Sequence, residues 1–448
     1  MRRMSGRAWN VRKNIASFES QKTRQEISVQ SISRPGGPTP ALDDIAPWDV
    51  VVDALTYYNT KIAPDLAADG AENLYRRDIS LWAETNIAKR HLTLCLVALH
   101  RAVQKYGDVK QDQALFHYHQ ARAAEILSHK IQKFGHTGPD PDLFDDVGLF
   151  FFSQIQTSAY GAWRAHLSAA KTLFNLWGVE TLMGNESYEF ILCHLVLADV
   201  FGTAMSPAAR MSMEDVAQHK VYLGLLGRFN VDVCSTMVPI PEDIVRAVAA
   251  INIARAATSL EDWTVAEALP DSDGPLTSIA RTLQTFNPEE WALRRPRCTT
   301  NQVSSWTLLA TCFQSAAMLY FWHTSGKNFT AVNRSTNSDG QAENYKRLVD
   351  TIQTLYDLKQ KGGVHFKYIL WAMVINGVEA ITRNDERQLR FLCEKLEQMT
   401  IDLGTLSMRE AGIFLDELWT NTMTKRGETS DVYVDWDTIF VQAPLFLM

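Results

Sequence analysis

The residues that come nearest to chemistry are Asp142-Leu143-Phe144-Asp145-Asp146. Carboxylates at i, i+3 and i+4 share one face of a helix. Such a face can hold a divalent cation and, through it, a diphosphate. That chemistry needs a second ligand segment of Asn-Asp-x-x-Ser-x-x-x-Glu type. The Asn-Asp pair of this sequence, Asn384-Asp385, is followed by Gln388 and Leu392 where the serine and glutamate should stand. A simpler reading is structural. Asp140 and Asp142 cap a helix starting after Pro141, and further carboxylates are favoured in its first turns by the helix dipole.

The other reactive side chains offer less. His117 and His119 are two apart, so on a helix they point to different faces. His91 and His100 are nine apart, too far for a local pair, and no His-Glu-x-x-His occurs. All are read as solvated or core-satisfied. Cys95, Cys193, Cys234, Cys298, Cys312 and Cys393 are scattered, with no Cys-x-x-Cys spacing for a zinc site or a redox dithiol. They are expected to be reduced, mostly buried thiols. No Gly-x-Gly-x-x-Gly, phosphate-loop or Gly-x-Ser-x-Gly pattern occurs, and Ser325-Gly326-Lys327 lacks the upstream glycine and strand. It reads as loop surface. No catalytic, cofactor-binding or metal-binding residue is therefore assigned, and no cofactor is expected. Twelve tryptophans are many for this length. Trp163, Trp177, Trp371 and Trp419 read as packing anchors. With Phe150, Phe151 and Phe152 they are also the side chains that would line an apolar cavity between helices.

What must position these residues is helical. Tyr118, Ala121, Ala124, Leu127, Ile131 and Phe134 recur by threes and fours and predict one apolar stripe, stopped by Gly135. Leu389, Leu392, Leu396, Met399 and Leu403 repeat the pattern and stop at Gly404. Strand-like alternation is confined to Phe229–Val233 and Val432–Trp436. Residues 264–300, broken by Pro270, Pro275, Pro288 and Pro296, predict short helical pieces. Residues 324–344, rich in Ser, Asn, Thr and Gly, predict an exposed loop. The fold class is all-α: a large irregular multi-helix domain over 46–448, behind a disordered basic, Pro/Gly-rich arm over 1–45.

Composition agrees with a packed body. Of 448 residues, 46% are hydrophobic and 21% charged, which is ordinary for a globular chain. Residues 1–34 carry eight basic and two acidic side chains, a surplus of six that leaves the rest at −13 against the whole chain's −7. The body should repel a phosphate backbone, while the arm supports weak, non-specific DNA contact at most. The longest apolar run, Phe190 to Phe201, is interrupted by His194 and Asp199 and is short of the ~20 residues a membrane helix needs. No membrane association is expected, and the chain reads as intracellular and soluble.

Two segments carry a family likeness. Trp163-Arg164-Ala165-His166-Leu167-Ser168-Ala169-Ala170-Lys171-Thr172-Leu173-Phe174-Asn175-Leu176-Trp177-Gly178 resembles a Trp-x-x-His-Leu-x-Gly-Ala helix, and Trp371 to Ala380 resembles a Trp-x5-Gly-x-Glu-Ala segment. Arg387, the 389–403 stripe, Gly404, Leu415-Asp416-Glu417-Leu418-Trp419 and Asp435-Trp436 follow in order. Locally, Gly178 should end a helix, Gly377 and Ala380 should allow close helix approach, and Glu379 should pair with Arg383 at i,i+4. The series is similar to the fungal-specific transcription factor domain family. That likeness implies an all-helical regulatory domain, normally placed behind a six-cysteine binuclear zinc cluster. No cysteine precedes Cys95, so the Cys-x2-Cys-x6-Cys pattern is missing from the arm. The chain is then either a truncated product or similar to stand-alone members that help control fungal secondary-metabolite clusters. The implied function is transcription regulation in the nucleus. The implied partners are other transcription regulators or the general transcription machinery, or a small apolar effector. The alternative, from the carboxylate cluster, is an all-helical enzyme of terpene-cyclase type.

Overall fold

A computed structural model describes residues 45–66, 76–80, 82, 85–107, 113–137, 141–157, 163–183, 186–229, 239–259, 275–295, 302–329, 334–359, 365–428 and 435–440. Contacts divide the chain into residues 1–51 and 52–448. In the first unit the described residues are 45–51, where the Val51 amide donates to the Pro47 carbonyl. The basic arm proposed over 1–45 falls almost wholly outside the described residues.

The helices are α1 (Trp48–Tyr57), α2 (Ala63–Leu66), α3 (Ile87–Tyr106), α4 (Gln113–Thr137), α5 (Pro141–Thr157), α6 (Trp163–Trp177), α7 (Val179–Met183), α8 (Glu186–Ala204) and α9 (Met213–Leu225). They continue as α10 (Glu242–Ser259), α11 (Pro275–Thr285), α12 (Pro288–Leu293), α13 (Val303–Phe329), α14 (Arg334–Lys359), α15 (Leu370–Arg383), α16 (Glu386–Leu403), α17 (Ser407–Glu428) and α18 (Trp436–Ile439). A π-turn at Tyr58–Ile62 joins α1 to α2, and single 3-10 turns lie at Ala208–Arg210, Leu226–Arg228 and His365–Tyr368. No strand occurs among the described residues. The fold is all-α. Both strand candidates fall mainly on undescribed residues, and Trp436 opens α18.

Local chemistry sets the helix ends. The Asn86 side chain accepts from the Ala88 and Lys89 amides to start α3. Ser212 and Asp215 form a reciprocal capping box at α9. The Asp385 side chain accepts from the Gln388 amide to start α16. Gly178 (φ +75°) and Gly404 (φ +60°) take the left-handed conformation that closes α6 and α16. The expected stops at these two glycines are as read from sequence. In α16 Leu389, Leu392, Leu396 and Met399 are buried and Leu403 packs beside them.

The core centres on α13, which packs against α10, α11, α12, α14 and α15. Apart from half-buried Thr311, every residue from Leu309 to Phe321 is buried, as expected of a helix apolar on all faces. Cluster members run from Leu92 to Phe440, so helices between α3 and α18 share this interior.

Three expectations fail. Tyr118, Ala121, Ala124 and Ile131 are exposed; α4 instead buries Phe116, His119, Ala123 and Leu127. The inward face is shifted because it includes a histidine whose partner lies on another helix, while the alanines are small enough to face either side. Gly135 does not stop α4, which runs on to Thr137. The exposed loop over 324–344 is largely the end of α13 and the start of α14, so Ser325-Gly326-Lys327 is helical. Ser, Asn and Thr each cost under ~0.7 kcal/mol in a helix, which packing between the two helices outweighs. A Cβ on Gly340 would lie 3.5 Å from the Trp322 ring.

Candidate functional site

The carboxylate cluster at the start of α5 faces cations. Asp146 is fully buried; Lys130 donates to one of its oxygens at 2.6 Å, and the Asn86 amide nitrogen reaches both oxygens at 2.8 Å. Asp145 pairs with Lys89. Burial pushes the Asp146 carboxyl above its usual range, and Lys130 and Asn86 work against that shift. Asp142 is exposed in the first turn, where the helix dipole favours it. Asp140 lies outside the described residues. The same Asn86 that caps α3 thus ties it to α5, and the cluster joins helices α3, α4 and α5. Among the described residues no group of three His, Cys, Asp or Glu side chains is arranged to hold a metal ion.

The histidines pair across the fold. His91 on α3 and His119 on α4 bring their Nδ1 atoms to 2.8 Å, both side chains buried. Burial lowers each to about 4, helped by Arg122 and Arg90 at His91 and by His91 at His119. His100 meets the Tyr57 hydroxyl at 3.0 Å and is likewise lowered to about 4, chiefly by burial. Sequence spacing separated His91 from His119 by 28 positions, so nothing local paired them. Cys95, Cys193 and Cys312 are buried and Cys393 is half-buried; Cys234 and Cys298 lie outside the described residues. Burial raises the thiols of Cys95 and Cys312 far above the ordinary value, and that of Cys393 to about 12.

The second family-like segment forms α15. Gly377 allows α17 to approach, and Glu379 accepts from Arg383 Nε at 2.6 Å, as the i,i+4 spacing implied. Sequence reasoning missed two further partners. His323 Nε2 lies 2.6 Å from Glu379, and Gln341 donates to both its oxygens at 3.1 and 3.2 Å. Burial alone would raise this fully buried carboxylate, but the bonds from His323 and Arg383 outweigh it and hold Glu379 below its ordinary range.

The first segment forms α6 and one wall of a polar cavity of about 280 Å³ between α6, α8 and α9. Lys171 bridges Asp199 at 2.9 Å and Asp215 at 2.7 Å, and the Tyr222 hydroxyl donates to Asp199 at 3.0 Å. Arg164 donates to the Ser206 hydroxyl and lies 4.5 Å from the Trp163 ring centroid. Its Nε is buried without a hydrogen-bond partner. Burial, then the charge of Arg210, lowers Arg164 to about 10. The signal available in sequence was Arg164, Ser168, Lys171 and Asn175, a polar stripe at helical spacing inside an otherwise apolar segment.

The aromatic anchors fill the interior. Trp163, Trp177, Trp371, Phe150 and Phe151 are buried, while Trp419 and Phe152 are half-buried. Trp371 stands edge-on to Phe201 at 4.9 Å, and a Cβ on the next residue, Gly202, would lie 2.7 Å from the Trp163 ring. Helix α8 therefore touches the leading tryptophan of both family-like segments through two adjacent positions. No helix among the described residues is long and apolar enough to cross a membrane.

Neither curated proteins nor solved structures gave a match. The family model for the fungal specific transcription factor domain matches residues 54–448. Its span takes in α6, α15 and every buried cluster described above, and the chain belongs to the fungal specific transcription factor domain family.

Proposed function

We propose that this chain is the regulatory module of a nuclear transcription regulator that works through protein partners, other transcription regulators or the general transcription machinery. The match of the family model across residues 54–448 carries the reading. The organisation of the helices supports it. The segments that mark the family, α6 and α15, are engaged in packing and internal ion pairs, and on α5 Asp145 pairs with Lys89 and Asp146 with Lys130 and the Asn86 amide. A non-enzymatic role fits those pairings.

The net charge left outside residues 1–34 opposes close approach to a phosphate backbone, so DNA contact falls to the basic arm and is weak and salt-sensitive. Target promoters are then reached through a partner, and a fungal secondary-metabolite cluster is the setting we propose. The proposal does not call on an apolar effector, because Trp163, Trp177 and Trp371 are built into the core.

The test is a fusion of the full chain to an unrelated DNA-binding module in a fungal host carrying the matching reporter. A several-fold change in reporter transcript, with the tagged chain in the nucleus, is expected. A reporter that ignores the fusion, together with unchanged transcripts on deletion of the gene, would overturn the reading.

A further inference from the structure

The turn that leads from α8 into α9 is held from two sides. On one side lies the C-terminal turn, α18. Trp436 Nε1 donates to the Ala204 carbonyl at 2.9 Å, and the Ala208 amide donates to Asp437 Oδ1 at 2.9 Å. Arg255, on α10, pairs with Asp437 and donates to the Ser206 carbonyl at 2.7 Å. On the other side lies α6, whose Arg164 donates to the Ser206 hydroxyl. Both sides meet at Ser206: its carbonyl answers to α10 and α18, its hydroxyl to α6.

This turn passes a disturbance on rather than absorbing it. Residues 201–208 are all buried, so no water stands ready to replace a hydrogen bond that is lost. Pro207 (φ −60°) fixes its own backbone and confines Ser206 before it. The Ser206 hydroxyl also donates to the Gly202 carbonyl at 2.6 Å, and Gly202 lets the Trp163 ring lie against α8. Trp163 and Arg164 therefore both bear on the last turn of α8. Arg255 is enclosed, and without Asp437 its cation would stay buried with no carboxylate to pair with, a costly state. Movement of the guanidinium relieves it and gives up the Ser206 carbonyl. Asp437 is half exposed, so this series of contacts reaches the surface.

We infer that the α8–α9 turn is a clasp coupling the seating of the C-terminal turn to the position of α6, through Asp437, Arg255, Ser206 and Arg164. With α18 seated, the turn is drawn in and Arg164 is anchored. With α18 released, Ser206 shifts and α6 loosens with it. A partner that engages Asp437 is then felt on α6, and by linkage a partner on α6 is felt at the C-terminal turn. The regulatory use of the clasp rests on the reading proposed above; the coupling does not.

Hydrogen exchange of the full chain, read by mass spectrometry, tests this. Asp437→Asn keeps the side-chain shape and removes the charge. It should speed exchange of residues 435–440 and, at a distance, of residues 167–174 of α6, each by about 3- to 30-fold. Residues 386–403 of α16 should be unchanged, which separates coupling from a general loss of stability. Arg164→Met keeps bulk over the Trp163 ring but cannot donate, and should speed exchange of residues 435–440. Ser206→Ala removes the hydroxyl where the two sides meet. In that background Asp437→Asn should still loosen residues 435–440 but no longer reach α6. A rise confined to residues 435–440 in Asp437→Asn, or an equal rise on α6 with and without the Ser206 hydroxyl, would overturn the clasp. Where Asp437→Asn does not fold, Arg164→Met decides, and unchanged exchange of residues 435–440 in that variant overturns it. In the reporter fusion, equal regulation by Ser206→Ala and the unaltered chain defeats the regulatory use of the clasp alone. A fusion without any effect defeats the regulatory reading, and exchange still decides the coupling.

Discussion

Gly377 on α15 stands directly against Leu415 on α17: a Cβ on residue 377 would lie 2.6 Å from both Leu415 methyl carbons. Gly377→Ala therefore forces the two helices apart or drives Leu415 off its rotamer. We expect a loss of about 1–3 kcal/mol in guanidinium unfolding. Gly178→Ala is the control, because its Cβ meets open space and only the φ of +75° is strained, at about 1 kcal/mol. If the two variants lost the same stability, the close approach at Gly377 would not be what limits that position.

Acid should destabilise the fold through its buried histidines. His91, His119 and His100 are each lowered from 6.5 to about 4 by the fold. A lowered pKa means that the unfolded chain takes up the proton first. The stability from keeping these rings neutral is complete above pH 6.5 and is lost progressively as pH falls toward about 4. Denaturation midpoints measured from pH 7.5 to 4.5 should decline through this window, and His119→Gln should flatten the decline. An unchanged slope in that variant would remove the His91–His119 pair as its source.

The three α5 carboxylates should separate under substitution. Asp142→Asn is expected to be silent, since the side chain is exposed and Asn serves a helix start nearly as well. Asp145→Asn should cost under about 1 kcal/mol. Asp146→Asn leaves the Lys130 ammonium without its buried carboxylate and should cost about 2–4 kcal/mol. Thermal melts of the single variants decide this. Diphosphate release from a prenyl substrate, lost in the Asp142→Asn variant, would instead support metal-dependent chemistry.

Arg255 makes the C-terminal turn part of the core. Its fully enclosed guanidinium pairs with Asp437, donates to the Tyr320 hydroxyl at 2.6 Å and donates to the Ser206 carbonyl at 2.7 Å. Beside it, Trp436 Nε1 donates to the Ala204 carbonyl at 2.9 Å. Asp437→Ala removes the carboxylate that pairs with this cation among the described residues and, with Asp437 itself half exposed, should cost about 1–3 kcal/mol. Arg255→Met with Asp437→Ala should recover most of that loss. No recovery would mean that the other contacts of Asp437, such as the Ala208 amide, carry the effect.

Residues 46–263 should not fold alone. They end at the helix, α10, whose buried face needs α13, and α13 supplies Leu309, Phe313, Tyr320 and Phe321 to the shared interior. Each is worth ~1.5–3 kcal/mol when buried, so together they rival the net stability of a domain. Ending the chain at residue 366 should be equally damaging, since it removes α15 to α18. A sharp cooperative melt of the 46–263 fragment would show that the body is two independent halves.

What the sequence by itself determined is whatever depends on near neighbours. The all-α class, the span of α6 up to Gly178, the inward face of α16 with its stop at Gly404, and the Glu379–Arg383 pair all follow from spacing of one to five residues. The family likeness is of the same kind, since it rests on short ordered segments of helix. Residue type also anticipated that Gly377 serves a close helix contact, because a glycine inside an apolar helix is otherwise a cost.

Tertiary structure alone decided which polar groups meet. His91 finds His119 across 28 positions, Glu379 finds His323, and Asp146 finds Lys130 and Asn86. The His91–His119 pair helps choose the buried face of α4, where Tyr118 and Ile131, read as part of the apolar stripe, are exposed. The cavity is the same case: Arg164 and Lys171 were visible as a stripe on α6, but Ser206, Arg210 and Asp215 come from elsewhere in the chain. Periodicity reports how apolar a face is. It cannot report which desolvated charge lies opposite, and in a low-dielectric interior that partner sets the sign of the energy.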